Sequence, residues 1–494
     1  MADGTAPRHG TVPHEEDASP GGLAPPDGCA SPGGDAPLGQ AAGRPGGSAF
    51  RRAAPWALLA VALAGLVPVH SAVEAARQNE VYRQLDTLID VFLRVRESYV
   101  DPVEDAKLIQ GAINGMLASL DPHSTYLDAR DTENMRTQTD GEYGGLGLTV
   151  TAEDGAVKVV SPTDDTPAAR AGIKAGDFIT HLDGELIFGS SLNEAVDRMR
   201  GRPGTQIRLT VVRPGVQKPL EFTLTREIIR IRPVRFEARG NVGVIRVSSF
   251  NRQTGEAVRL GVTTLARQIG PDIAGYVLDL RSNPGGLLDQ AIEVADVFMP
   301  RGEIVSQRGR AKTDIERYFA RAPDLTGGLP LVVLIDEGSA SAAEIVAGAL
   351  QDHRRALVIG QRTFGKGSVQ TLIPLSPETG LRLTTARYYT PAGRSVQEEG
   401  IVPDIPVPQL TDPTRNERPR IREADLRNHL IGERKADDRL IEDDGKPDPR
   451  FSETPEQLKA RGVTDFQLDY AVRMLERARA AAAQRTAAAS RPGA

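Results

Sequence analysis

The chain has 494 residues, of which 39% are hydrophobic and 26% charged, and its formal net charge is -6. That length exceeds what one hydrophobic core supports, so several folded units are expected, and the composition excludes a fibrous or wholly disordered protein. The modest negative charge, without a basic stripe interleaved with aromatics, argues against a nucleic-acid partner, and the lone Cys29 excludes an internal disulfide.

Residues 1–50 are rich in Gly, Pro, Ala, Ser and Asp, with few large apolar side chains to offset the entropy of ordering. They read as a disordered leader. Arg51 and Arg52 then precede an apolar run from Ala53 to Val69, the pattern of a signal or membrane-anchor segment over 51–76. The run lies near the lower limit of about 17–25 residues for a membrane span. Small residues at Ser71, Ala72, Ala75 and Ala76 offer cleavage sites, whereas the long leader favours an uncleaved anchor. The two arginines favour an inside N-terminus with the rest of the chain outside. The expected location is therefore the cell envelope, on its periplasmic side, either membrane-anchored or secreted across the inner membrane.

From 78 to 138 the pattern is helical, with Leu85, Leu88, Ile89, Phe92, Val95 and Tyr99 recurring at three- and four-residue steps and Pro102 and Pro122 as interruptions. Over 142–226 the texture changes to short β-type runs separated by Gly and Asp turns. Over 227–408 strands alternate with helices, which predicts an α/β core. Residues 409–494 are charged and irregular, with helical potential from Phe466 to about Ala483, and read either as an assembly arm or as a solvated tail. The expected fold is thus an α/β core with an inserted, mostly β domain containing two helices, flanked by helical N- and C-terminal segments.

Within the β segment, Glu142-Tyr143-Gly144-Gly145-Leu146-Gly147-Leu148 sets glycines before an alternating strand. Such glycines let backbone N–H groups converge on a carboxylate while the next strand pairs with an extended peptide. Ser161-Pro162, Ala168 through Ile179 and Asp183-Gly184 complete the order of a PDZ domain, which the segment resembles. The implied ligand is a peptide C-terminus with an apolar last residue, held by Gly145, Leu146, Gly147 and Leu148. Leu146 and Leu148 are expected in the apolar pocket, and Ile173 and Phe178 in the domain core.

Three strand-to-loop junctions in the α/β segment carry candidate chemistry. After the apolar run Leu331 to Ile335, Ser341 stands at the start of a predicted helix, where free N–H groups favour developing negative charge. Taken alone, such a serine is usually a helix cap. Lys366, in Gly365-Lys366-Gly367, serves as a general base only if burial lowers its proton affinity, and taken alone a loop lysine is usually solvated. Gln370 is able to hold the amine by a hydrogen bond without adding charge. Gly285 and Gly286, in Asn283-Pro284-Gly285-Gly286, offer amides for an oxyanion hole together with the N–H of Ala342. The same stretch also reads as a simple turn.

Together these segments resemble the carboxy-terminal processing proteases, or tail-specific proteases, over about residues 78–408. The motifs are Leu120-Asp121-Pro122-His123-Ser124, Leu280-Arg281-Ser282-Asn283-Pro284-Gly285-Gly286, Gly338-Ser339-Ala340-Ser341-Ala342, Gly365-Lys366-Gly367 and Gly400-Ile401-Val402-Pro403-Asp404. The resemblance implies a serine endopeptidase with Ser341 as nucleophile, Lys366 as base and Gln370 as its partner. It implies no cofactor and no metal. Ala343 stands where relatives often carry a third serine, a position that is not the nucleophile. Protein substrates with apolar tails are the implied partners; adaptor proteins, self-association and membrane attachment through the N-terminal segment are further expectations.

Rival readings are a phosphate-binding loop over Gly360–Lys366, a histidine triad and a catalytically silent envelope scaffold or chaperone. Gly367 replaces the Ser or Thr that would touch magnesium, and a strand pattern follows where a phosphate loop needs a helix. His353, at the far end of the serine helix, would lie about 18 Å from Ser341 at a rise of ~1.5 Å per residue. His123 and His181 read as structural. Intact Ser341, Lys366 and Gln370 argue against the scaffold. Because the β domain is inserted before the core, it could act as a lid, with Arg200 as the relay; the alternative for Arg200 is a solvated arginine at a helix end.

Overall fold

The computed structural model describes residues 80–412 apart from Asp154 and Ala322, residues 421–433, Asp448 and residues 450–489. The leader and the apolar segment lie outside the described residues, and no described helix is long and apolar enough to cross a membrane. Contacts divide the chain into two compact units at Val95 and Arg96. Helix α1 covers 80–98. Its predicted apolar stripe is present, but Leu85, Leu88 and Ile89 stay about half exposed, at 47%, 50% and 54%.

Helix α2 (Asp105–Ala118), strand β1 (Thr125–Leu127) and helix α3 (Ala129–Asp140) follow. The Asp128 side chain accepts from the N–H of Asp131 to start α3, and Gly141, at a φ of 71° that favours glycine, ends it. Strand β2 (Glu142–Gly145) opens the inserted domain, which continues through β3 (Leu148–Glu153), β4 (Ala156–Pro162), α4 (Pro167–Arg170), β5 (Phe178–Leu182), β6 (Glu185–Leu186), α5 (Leu192–Met199), β7 (Gln206–Val212), β8 (Leu220–Thr225) and β9 (Glu227–Arg230). Strands β2 and β9 pair antiparallel and close its base. The main sheet runs β3-β4-β5-β7-β8, so β3 is an edge strand. In β7 Ile207, Leu209 and Val211 point alternately inward, as a two-residue period requires, and join Val159, Ile179 and Leu182 in the core.

The α/β core comprises β10 (Val234–Arg239), β11 (Val242–Val247), α6 (Thr254–Ile269), β12 (Gly275–Asp279), α7 (Leu288–Phe298), β13 (Glu303–Arg308), β14 (Ile315–Phe319), β15 (Leu331–Ile335), α8 (Ala342–Asp352), β16 (Leu357–Gly360), β17 (Ser368–Pro374), β18 (Gly380–Tyr389) and β19 (Ile405–Pro406). Strands β11, β12, β15, β16 and β19 are parallel in that order, with β10 antiparallel on one edge. Every residue of β12 and β15 is buried, the continuous apolar run expected of strands covered on both faces. Helices α6, α7 and α8 cover one face. The other is covered by Phe451, Leu458, Phe466 and Leu475, so this stretch of the charged C-terminal region packs against the core sheet through its apolar residues. A second sheet, β1-β18-β13-β14 with β17 on β18, carries β17 and β18 to the ends of the parallel strands.

Candidate active site

Strand β15 runs into a turn in which the first serine is structural. Ser339 is fully buried, and its hydroxyl donates to the Leu280 carbonyl at 2.8 Å and accepts from the Asp336 N–H at 3.0 Å. Ser341 follows at φ 55° and ψ -115°, a region that L-residues rarely occupy and that strains the backbone just before α8. Such strain is characteristic of a side chain aimed at a site rather than at the core. Ser341, Ala342, Lys366, Gln370, Gly285 and Gly286 line one cavity of about 360 Å³, together with Met135, Ile345, Leu372 and Tyr388.

Glu344 organises this arrangement. Its carboxylate is fully buried, and its Oε2 accepts from the N–H of Ser341 at 2.7 Å and of Lys366 at 3.0 Å. Its Oε1 accepts from the Thr363 hydroxyl at 2.5 Å and the Gly365 N–H at 2.8 Å. Burial pushes this carboxyl up to about 7, against the opposing pull of those four bonds. The spacing Ser341-x-x-Glu344 is the one sequence signal that marks it.

Lys366 is part-buried on the loop that Glu344 holds. Burial lowers its proton affinity below the ordinary lysine range, Arg382 lowers it further, and Glu423, Glu344 and Asp121 oppose the shift. Among the described residues it makes no ion pair. Tyr388, on β18, is buried; its hydroxyl donates to the Lys366 carbonyl and also meets the Ser341 side chain. Burial raises that phenol well above its ordinary value, so it stays protonated. Sequence reasoning missed it, because β18 reaches the site only through tertiary pairing.

Gln370 lines the cavity, but its amide donates to Ser368 at 2.9 Å and Thr384 at 3.3 Å rather than meeting Lys366. The oxyanion expectation needs a similar correction. The Gly285 N–H is taken by the Asn283 side chain at 2.9 Å, which removes it as a donor. Gly286 and Ala342 keep N–H groups without a partner among the described residues. Gly285 serves by being small: a Cβ there would sit 2.8 Å from both the Ser341 Cβ and the Ala340 carbonyl.

In the inserted domain, the N–H groups of Leu146 and Gly147 have no partner among the described residues, while their carbonyls accept from Ala168 at 3.0 Å and Thr163 at 2.8 Å. Two free amides beside the β3 edge suit a peptide carboxylate. Leu146 is 3% exposed and belongs to the domain core, whereas Leu148 is half-buried at the start of β3 and Gly145 is paired in β2. Ile173 is core as expected. Phe178 is only half-buried and lies under Lys158.

Arg200 is not a solvated helix end. It donates to Asn134 of α3 at 2.9 Å, lies 5.1 Å from the centre of the Tyr143 ring, and keeps a buried Nε without a partner among the described residues. The next residue of α3, Met135, lines the active-site cavity with Gln138 and Thr139. His353 bonds the Glu303 carbonyl at 2.7 Å, outside the residues that line that cavity, and His181 bonds Thr180 in the inserted domain at 3.0 Å. His123 is closer to the chemistry than its position in the chain suggests: it bonds Glu423, whose charge reaches Lys366.

A strained serine, two amides without a partner among the described residues and a part-buried lysine at the ends of parallel strands suit a serine peptidase site. Residues 241–407 match Peptidase family S41, residues 158–213 match the PDZ domain, and residues 66–132 match the family described as Activating protease CtpB N-terminal domain. The chain is 51% identical over 376 residues to the carboxy-terminal-processing protease of Bartonella bacilliformis, covering 76% of this chain and 87% of that one. It is 34% identical over 349 residues to carboxy-terminal processing protease CtpB of Bacillus subtilis, covering 69% and 72%. It is 38% identical over 324 residues to the carboxyl-terminal-processing protease of Synechocystis, covering 64% and 75%. The chain belongs to the carboxy-terminal-processing protease family and is a serine-type peptidase with an α/β core and an inserted PDZ domain.

Proposed function

We propose that this peptidase is an envelope endopeptidase that selects proteins by apolar C-terminal tails and cleaves them with Ser341 as nucleophile and Lys366 as general base. The observation that carries this reading is the shared acceptor: one oxygen of Glu344 ties the backbones of Ser341 and Lys366 around a single cavity. Neutral Lys366 takes the Ser341 proton as the oxygen attacks the scissile carbonyl, and the resulting oxyanion accepts from the N–H groups of Gly286 and Ala342. The lysine ammonium then gives its proton to the leaving amine, and water releases the acyl group by the same route in reverse. Gln370 orients the cavity wall through Ser368 and Thr384.

Tail recognition uses the Leu146 and Gly147 amides and the β3 edge, with Arg200 relaying occupancy through Asn134 to the cavity face of α3. The apolar run Ala53 to Val69 supports an envelope location with the peptidase on the periplasmic side. The exposed stripe of α1 supports self-association, and adaptor proteins would deliver substrates to the same tail site. The test is a model protein bearing an apolar C-terminal tail. Cleavage that survives chelation, disappears in Ser341→Ala and weakens when the tail is amidated supports the reading; cleavage by Ser341→Ala overturns it.

A further inference from the structure

The loop that carries Lys366 is held from a third side, by residues that follow the peptidase core in the chain. The Glu423 N–H donates to the Phe364 carbonyl at 3.1 Å. Its fully buried carboxylate accepts from His123 Nε2 at 2.8 and 2.9 Å and from Gln397 Nε2 at 3.0 Å. Gln397 in turn accepts from the Gly367 N–H at 3.0 Å through its Oε1 and donates to the Leu430 carbonyl at 3.0 Å. The residues on either side of Gly365-Lys366 are therefore pinned by the Glu423 backbone N–H and by Gln397, the amide partner of the buried carboxylate. Asp121 holds the turn that presents His123, accepting from the N–H of His123 and of Ser124 at 2.8 Å each, and Arg382 donates to the His123 carbonyl at 3.1 Å.

We propose that Glu423 and His123 form a positioning pair for Lys366, in which Glu423 holds the loop and His123 governs how much of the carboxylate's charge the lysine experiences. This rests on Lys366 as the base. A buried carboxylate near an ammonium favours the charged form, whereas a histidine bonded to that carboxylate draws part of its charge away. Burial alone would raise Glu423, but the bonds from His123 and Gln397 outweigh it and keep the carboxyl ionised below its usual range. The other charged groups whose fields reach Lys366 are Arg382, Glu344 and Asp121.

The two partners have opposite effects on the lysine, and this separates the proposal from a merely structural role. Glu423→Gln removes the negative charge and keeps the side-chain shape, so the acid limb of kcat/KM moves to lower pH by about one unit. His123→Ala leaves the carboxylate without its histidine but still held ionised by the Gln397 bond and the charge of Lys366, so the same limb moves to higher pH. The experiment is the pH profile of full-length wild-type, Glu423→Gln and His123→Ala on one tailed substrate, with thermal melting recorded for each. Opposite displacements support the pair. Limbs that stay in place, or that move together, overturn it, and if one variant fails to fold the predicted direction in the other still decides. Lys366→Ala separates the two failures: an active variant sinks the base assignment itself, whereas an inactive one with unmoved limbs in the pair variants sinks only the pair.

Discussion

Ser341 and Lys366 lie 25 positions apart in the chain and share one hydrogen-bond acceptor, Oε2 of Glu344, at 2.7 and 3.0 Å. The strained serine and the loop lysine are therefore a single mechanical unit, and displacing one backbone displaces the other. A 1 Å error between nucleophile and base is enough to cost about a hundredfold in rate.

Glu344→Gln tests that unit. A glutamine offers one acceptor oxygen where four donors converge, so two of them lose their partner at roughly 1–3 kcal/mol each. Turnover is expected to fall at least about a hundredfold, with a lower melting temperature. Unchanged turnover would show that the shared acceptor is dispensable.

The same carboxyl has a pH signature. Its folded value of about 7 lies above the ordinary 4.5, so in that interval the folded state binds more protons than the unfolded one. Its contribution to stability is therefore full below pH 4.5 and declines as pH rises to about 7. Over that window the loss is roughly 3 kcal/mol, and denaturant titrations should show the Gln variant without this slope.

The proposed oxyanion hole implies a division of labour between two adjacent glycines. Gly285→Ala presses a methyl group against Ser341 at a φ of 98° and should reduce kcat by about a hundredfold or more. Asn283→Ala frees the Gly285 N–H but removes the side chain that shapes the loop, and it should lower kcat as well. A rise in kcat would return Gly285 to the oxyanion hole as a donor.

Much of this was legible because the motifs are local. Ser341, Lys366 and the two glycines each stand on a strand-to-loop junction that glycine and apolar patterning reveal. What stayed hidden is non-local. Tyr388 and Arg382 reach the cavity through the pairing of β18, and Glu423 comes from a segment that reads as charged tail. Side-chain choices were equally out of reach: that Asn283 turns back onto the Gly285 amide, that Gln370 prefers Ser368 and Thr384, and that Leu146 completes a core depend on packing rather than spacing. The α1 stripe is a correct helix pattern, yet periodicity does not say what covers a face.

Arg200→Ala tests the relay. An activating peptide with a free apolar C-terminus should stimulate cleavage of an untailed substrate by the wild-type enzyme, and the variant should lose that stimulation while still binding the peptide. Equal stimulation in both would leave the inserted domain as a tether.

The most direct measurement is the turnover of one tailed protein by full-length Ser341→Ala, Lys366→Ala and Lys366→Arg, each verified as folded by thermal melting. Removing the base should cost roughly 10²–10⁴-fold, and arginine should not rescue it because a guanidinium stays protonated. Loss of cleavage in all three variants is the predicted result; near-wild-type turnover by Lys366→Ala would contradict the account.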